Sequence, residues 1–231
     1  MKPRQLVLDL PHRAARGRED FLVTPANAAA VAMIDGWRSW PSHAAVLVGP
    51  PGSGKTHLVE VWRQASGAGV VPVSALHEDA IPELMAGHAL AVEDAPGDQL
   101  NERAMFHLLN YARELGGKVL ITSAALPAAW NVALPDLRSR LRSAPVASLG
   151  VPDDALLRGV LVKLFDDRQL AVEESVLSYL LPRMPRSLEA ARLIVAQLDA
   201  AALASKAEIT RPFAAKVLAE LLAPPLFDDE M

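Results

Sequence analysis

The first apolar stretch is short and alternating. Gln5-Leu6-Val7-Leu8-Asp9-Leu10 is closed by Pro11 and belongs to a leader, residues 1–20, that reads as extended and poorly ordered. Thr24-Pro25 then offers a helix start, because threonine suits an N-cap and proline the first helical position. A helix is expected over residues 26–40, stopping at Pro41. Residues 44–48 form a short apolar strand, residues 49–55 a glycine-rich loop and residues 56–64 a helix. A strand at 69–73 and a short helix at 81–86 follow, and the apolar run 89–92 ends on Glu93-Asp94.

Asn101 can cap a helix whose apolar positions Met105, Leu108, Leu109 and Ala112 recur at helical spacing, and Gly116-Gly117 ends it. Two more strands are expected at 118–122 and 146–149. Strands alternating with helices predict an α/β fold with a five-stranded parallel sheet, covered on both faces. After Pro152 the pattern turns wholly helical. Its stripes are Leu157, Leu161, Leu164 and Phe165, then Leu188, Ala191, Val195 and Leu198, then Phe213, Val217 and Leu221 behind a Thr210 cap. With a short helix at 176–181 they predict a small all-helical bundle over residues 153–222, after a core at 21–152. The tail, 223–231, is proline-rich, then acidic, and reads as loose.

Composition narrows the chemistry. The 231 residues are 51% hydrophobic but only 5% aromatic, so the core must be built mainly from Ala, Leu and Val. Without cysteine there are no disulfides and no thiolate metal sites. Net charge is −4, with 23 basic residues against 27 acidic ones, which argues against duplex DNA as the main direct ligand. The locally basic stretch 13–18 reads as a solvated linker. No apolar run reaches the length of a membrane span and no apolar signal core opens the chain, so a cytoplasmic protein is expected.

The strongest chemical signal is Gly49-Pro-Pro-Gly-Ser-Gly-Lys55-Thr56, which fits G-x-x-x-x-G-K-[ST] between a strand and a helix. Glycines let backbone N–H groups turn inward around phosphate oxygens; the lysine reaches the outer phosphates and the threonine hydroxyl ligates Mg²⁺. Gly49, Gly52, Ser53, Gly54, Lys55, Thr56 and His57 are thus the candidate cradle for ATP or ADP. Glu93 and Asp94 end the neighbouring strand: Glu93 would hold Mg²⁺ through water and Asp94 would orient the attacking water.

The ordered set PPGSGKTHL (50–58), AVED (91–94), VLITSAALP (119–127), LRSRL (137–141) and MPRSLEAA (184–191) resembles the DnaA/Hda family of AAA+ proteins. The resemblance is closer to its short Hda branch. It implies an AAA+ core with a helical lid at 153–222, and it assigns roles. Thr122 and Ser123 match the sensor-1 stretch, with Ser123 as the candidate residue; Arg140 matches the arginine finger that enters a neighbouring subunit's nucleotide site. Arg186 matches the sensor-2 arginine, and residues 21–27 the base-clasping segment. The hexapeptide at 5–10 is similar to the clamp-binding peptide of the Hda branch, so Gln5, Leu6, Leu8 and Leu10 are its candidate contacts. The chain is expected to be this shorter form, without a helix-turn-helix DNA-binding domain after the lid.

Two functions follow. One is a regulator that docks on the DNA polymerase III sliding clamp and promotes hydrolysis of DnaA-bound ATP, with its own nucleotide acting as a structural ligand and weak intrinsic turnover. The family's subunit contacts also allow a homo-oligomer. The other is an autonomous AAA+ ATPase of the helicase-loader type acting on nucleic acid, which the acidic charge balance disfavours.

Overall fold

A computed structural model describes residues 22–97 and 100–222. The leader with Gln5, Leu6, Leu8 and Leu10, together with Phe21 and the tail 223–231, lies outside the described residues. The chain divides into two compact units, the first ending at Val151 and the second beginning at Pro152.

In the first unit five strands, β1 (Ala44–Val48), β2 (Gly69–Pro72), β3 (Ala89–Ala95), β4 (Lys118–Ser123) and β5 (Val146–Ser148), pair in parallel in the order β2-β3-β4-β1-β5. A parallel sheet needs apolar side chains on both faces, and the central strands supply them alternately. Val46, Val48, Leu90, Val92, Val119 and Ile121 pack on one face with α3 (Ile81–Leu84), α4 (Glu102–Glu114) and α5 (Pro135–Ser143). Ala45, Leu47, Ala89, Ala91 and Leu120 pack on the other with α1 (Ala28–Asp35) and α2 (Lys55–Ser66). These strand residues are nearly or completely buried.

Three of the four tryptophans gather on the second face. Trp40 stacks on Trp62 at 5.8 Å and Trp37 meets it edge-on at 6.1 Å. Each such pair adds about 0.5–1.5 kcal/mol beyond burial.

Element ends depart from expectation where local hydrogen bonds compete. The expected helix over 26–40 is two pieces, α1 and a 3₁₀ turn at Trp37–Ser39, separated by Gly36. Ser39 captures the Gly36 carbonyl with both its N–H (2.9 Å) and its hydroxyl (2.8 Å), tightening the chain after a residue that favours helix weakly. Nor is Thr24 the cap. Asn27 occupies that position, and its side chain accepts from the Thr24 N–H and donates to the Leu22 carbonyl, both at 2.8 Å. The strand expected at 89–92 runs on to Ala95, so the acidic pair lies within it.

The second unit holds α6 (Asp154–Asp166), α7 (Glu174–Leu180), α8 (Leu188–Ser205) and α9 (Arg211–Leu222). Asp153 and Ser187 cap α6 and α8 through side-chain bonds to Leu156 N and Ala190 N, and Thr210 accepts from Phe213 N ahead of α9. Leu157, Leu161, Phe165, Leu180, Val195 and Leu198 form the centre of its core. Among the described residues no helix is long and apolar enough to cross a membrane.

Candidate phosphate-binding site

The loop between β1 and α2 is shaped by its glycines. Gly52 and Gly54 have φ of +72° and +104°, a region where side chains are strained. Gly49 is required by space: a Cβ there would lie 2.7 Å from Ser53 Oγ and 2.9 Å from the Leu149 carbonyl oxygen. Its N–H donates to the Ser123 carbonyl at 3.0 Å, joining the loop to the end of β4.

Lys55, the first residue of α2, folds its ammonium back onto the carbonyls of Gly49 (2.8 Å) and Pro50 (3.1 Å). Burial lowers its pKa below the ordinary lysine value, while the nearby carboxylates of Asp94 and Glu93 pull in the opposite direction. The candidate lysine and the candidate acids therefore share one electrostatic site. Thr56 is exposed and His57 half-buried on the same first turn. Ser53 is buried, and its hydroxyl has no partner among the described residues. A glycine-shaped loop opening a helix, a lysine and a buried hydroxyl without a partner among the described residues suit a polyphosphate.

At the carboxyl end of the sheet β3 bulges. Val92 pairs with Ile121 and Ala95 with Ser123, so Glu93 and Asp94 together face the single residue Thr122. Bulges of this kind re-aim side chains. Asp94 takes φ +62°, uncommon for a residue with a side chain, and its N–H donates to Thr122 Oγ1 at 3.1 Å. Ser123, the sensor-1 candidate, is held in a local turn. Its hydroxyl donates to the Ala125 carbonyl at 2.6 Å and accepts the Ala125 N–H at 3.0 Å, closing a local turn. The hydroxyl that touches the acidic segment is that of Thr122.

Among the described residues four polar side chains are buried: Asn27, Ser53, Thr122 and Ser123. The last three line the loop and the strand end beside it. Asn27 ties the turn of residues 22–27, and Ala26 accepts the Gly150 N–H from the segment after β5.

Residues 154–218 match the family model described as the Hda lid domain. The chain is similar to domain III of the Thermotoga maritima replication initiation protein DnaA, with a TM-score of 0.74 at 20% identity over 93% of this chain and 100% of that one. The helical unit thus matches the Hda lid model, and the chain shares the fold of DnaA domain III. AMPPCP-bound DnaA from Aquifex aeolicus is similar with a TM-score of 0.63 at 17% identity, over 77% of this chain and 62% of that one. The Thermotoga maritima RuvB Holliday junction branch migration motor is similar with a TM-score of 0.64 at 16% identity, over 85% of this chain and 67% of that one. At these identities the solved structures establish the AAA+ fold.

The candidate finger stands away from the loop. Arg140 lies half-buried on α5 with its guanidinium 5.3 Å from the Phe106 ring centre, in a cleft of about 280 Å³ lined also by Pro41, Ser42, His43 and Ala44. Those residues lead into the amino end of β1, whereas Gly49 follows its carboxyl end. At ~3.3 Å per residue the strand separates the two by roughly 16 Å. Arg138 and Arg142 are exposed on the same helix. In the lid unit Arg186 precedes α8 and pairs with Asp154 at 2.6 Å, also donating to the Pro152 carbonyl at 3.2 Å. Sequence reading missed that internal partner. A carboxylate on the first turn of α6 competes for the guanidinium expected to serve a phosphate.

Proposed function

We propose that the chain is an adenine-nucleotide-binding regulator of replication initiation, and that Arg140 promotes hydrolysis of ATP held by DnaA. The observation carrying the proposal is the position of Arg140, at the opposite end of β1 from this chain's own loop. A guanidinium so placed has no use in its own site but suits a neighbouring subunit's, where it would neutralise charge developing on the transferred phosphoryl group. The Hda lid match and the DnaA-like fold support DnaA as that neighbour.

The bound group would be ADP or ATP with Mg²⁺. Gly49, Gly52, Ser53, Gly54, Lys55, Thr56 and His57 would hold the phosphates, and Thr56 and Glu93 the cation, Glu93 through water. The metal supplies charge neutralisation between phosphate oxygens. Lys55 contributes its ammonium, the α2 N-terminus its free N–H groups, and Asp94 a carboxylate for water. Arg186 would close the lid onto the nucleotide once it leaves Asp154. AMPPCP in the Aquifex DnaA supports the adenine nucleotide. Docking on the DNA polymerase III sliding clamp through Gln5, Leu6, Leu8 and Leu10 completes the proposal; it rests on the hexapeptide pattern and its likeness to the Hda branch.

A steady-state ATPase assay tests this reading against an autonomous ATPase. The chain alone should turn over slowly with or without DNA, and ATP loss should rise only when DnaA and clamp-loaded DNA are both added. Rapid, DNA-stimulated turnover by the chain alone would overturn the proposal. Clamp capture should fall on changing Gln5 and Leu6 to alanine; unchanged capture would remove the hexapeptide from the account.

A further inference from the structure

The cleft that holds Arg140 contains a second arginine. Arg113, on the last turn of α4, lines it together with Arg140, His43, Ser42 and Ser143. The two guanidinium groups differ in how they are held. Arg140 is half-buried and lies over the Phe106 ring, whereas Arg113 is exposed and makes no side-chain hydrogen bond or ion pair with any described residue. The polar side chains near it are already engaged or neutral. Ser143 Oγ donates to the Arg140 carbonyl, Ser42 Oγ accepts the Ala44 N–H, and His43 Nδ1 contacts the Gly117 carbonyl at 2.9 Å. Lys118 adds a further ammonium behind the cleft, bonded to the carbonyls of Trp40 and Ser42. No carboxylate lines the cleft, so in a chain of net charge −4 this patch is locally cationic.

Two like charges converging on one concavity without an internal counter-ion call for an external anion. At about 280 Å³ the cleft admits a side-chain carboxylate. A group that stabilises a reacting phosphoryl must be held in place, and the aromatic ring gives that to Arg140 alone. A free guanidinium at the rim acts on encounter and orientation instead.

We infer that Arg113 is a docking residue which captures a carboxylate on the face of the nucleotide-bearing AAA+ subunit that Arg140 enters, so that the partner surface around the finger is acidic. This rests on Arg140 acting in trans, and its test separates the two claims. Stimulated ATP hydrolysis is measured while the concentration of this chain is varied, at about 50 and 200 mM salt. Arg113→Ala should raise the half-saturating concentration about tenfold at low salt and leave the maximal rate within twofold of wild type. It should also flatten the salt dependence, because a charge–charge contact has been removed. Arg113→Glu should raise half-saturation further, and Arg113→Lys should restore most of it. Arg140→Ala should instead abolish the maximal rate.

A lower maximum with unchanged half-saturation in Arg113→Ala would overturn the docking role, and so would a variant indistinguishable from wild type. Equal loss in Arg113→Glu and Arg113→Ala, with wild-type salt dependence, would overturn the acidic partner face. If Arg140→Ala keeps the full maximal rate, the trans-finger reading fails, and this inference fails with it. Circular dichroism checks each variant's fold; Arg113 is exposed, so no change is expected.

Discussion

Gly49→Ala is the sharpest perturbation of the loop. The added methyl would lie 2.7 Å from Ser53 Oγ and 2.9 Å from both Cβ and the carbonyl oxygen of Leu149. Relaxed contacts settle near ~3.5–4.0 Å, so at least half an ångström must be found. Leu149 cannot yield easily, because its N–H is bonded to the Val48 carbonyl at 2.7 Å and its side chain is buried. The loop must move instead. Overpacking of this kind costs about 1–3 kcal/mol. For a unit of this size that corresponds to a melting temperature lower by roughly 4–10 °C.

The same shift displaces the Gly49 carbonyl that holds the Lys55 ammonium. Nucleotide stabilisation should therefore suffer beyond the loss of fold stability. At a hundred times Kd, ADP with Mg²⁺ should stabilise the wild type by about 2.7 kcal/mol; in Gly49→Ala most of that gain should vanish. Thermal unfolding with and without ADP measures both effects. Gly67→Ala is the control: φ is +72° but open space surrounds the new methyl, so backbone strain is the whole effect. It should melt a few degrees lower and keep the full ADP response. If Gly49→Ala melts with the wild type and responds equally to ADP, the tight-cradle argument is wrong.

Other variants probe the neighbouring groups. Thr122→Val removes the acceptor for the strained Asp94 N–H, and should lower stability by about 1–2 kcal/mol and weaken Mg²⁺-dependent nucleotide binding severalfold by calorimetry. Ser123→Ala, which loses only the turn to Ala125, should lower stability by about 1 kcal/mol and leave binding unchanged; the reverse pattern would couple Ser123 rather than Thr122 to the nucleotide. In the lid, the Arg186–Asp154 pair is exposed at 53% and 71%, so Asp154→Ala should change stability by less than about 1 kcal/mol in thermal unfolding. Arg186→Ala should weaken ADP binding about tenfold, whereas Asp154→Ala should not weaken it; equal losses would make the pair merely structural.

Much of this fold was legible because its signals are local and repeated. The loop motif, the Asn101 cap and the apolar period of α4 each depend on residues within one turn of one another. Strand membership followed from short apolar runs, which in a doubly covered sheet need no alternation. The misread ends of α1 depended on one hydrogen bond against another. Ser39 took the Gly36 carbonyl, and Asn27 rather than Thr24 organised the turn before the helix. The geometry around the loop was not legible in the sequence. A bulge in another strand sets which hydroxyl meets Asp94, and Arg186 meets Asp154 from 32 positions away. Arg113 carried no motif at all; it entered only when α4 and α5 were seen to share a cleft.

The central claim is that the guanidinium of Arg140 works in another subunit's site. The direct measurement is a single turnover of labelled ATP preloaded on DnaA, followed after adding this chain with clamp-loaded DNA. Wild type should speed conversion to ADP by orders of magnitude, as an arginine finger does, and Arg140→Ala should leave the unstimulated rate while still melting and binding ADP like the wild type. Stimulation that survives Arg140→Ala would contradict the account.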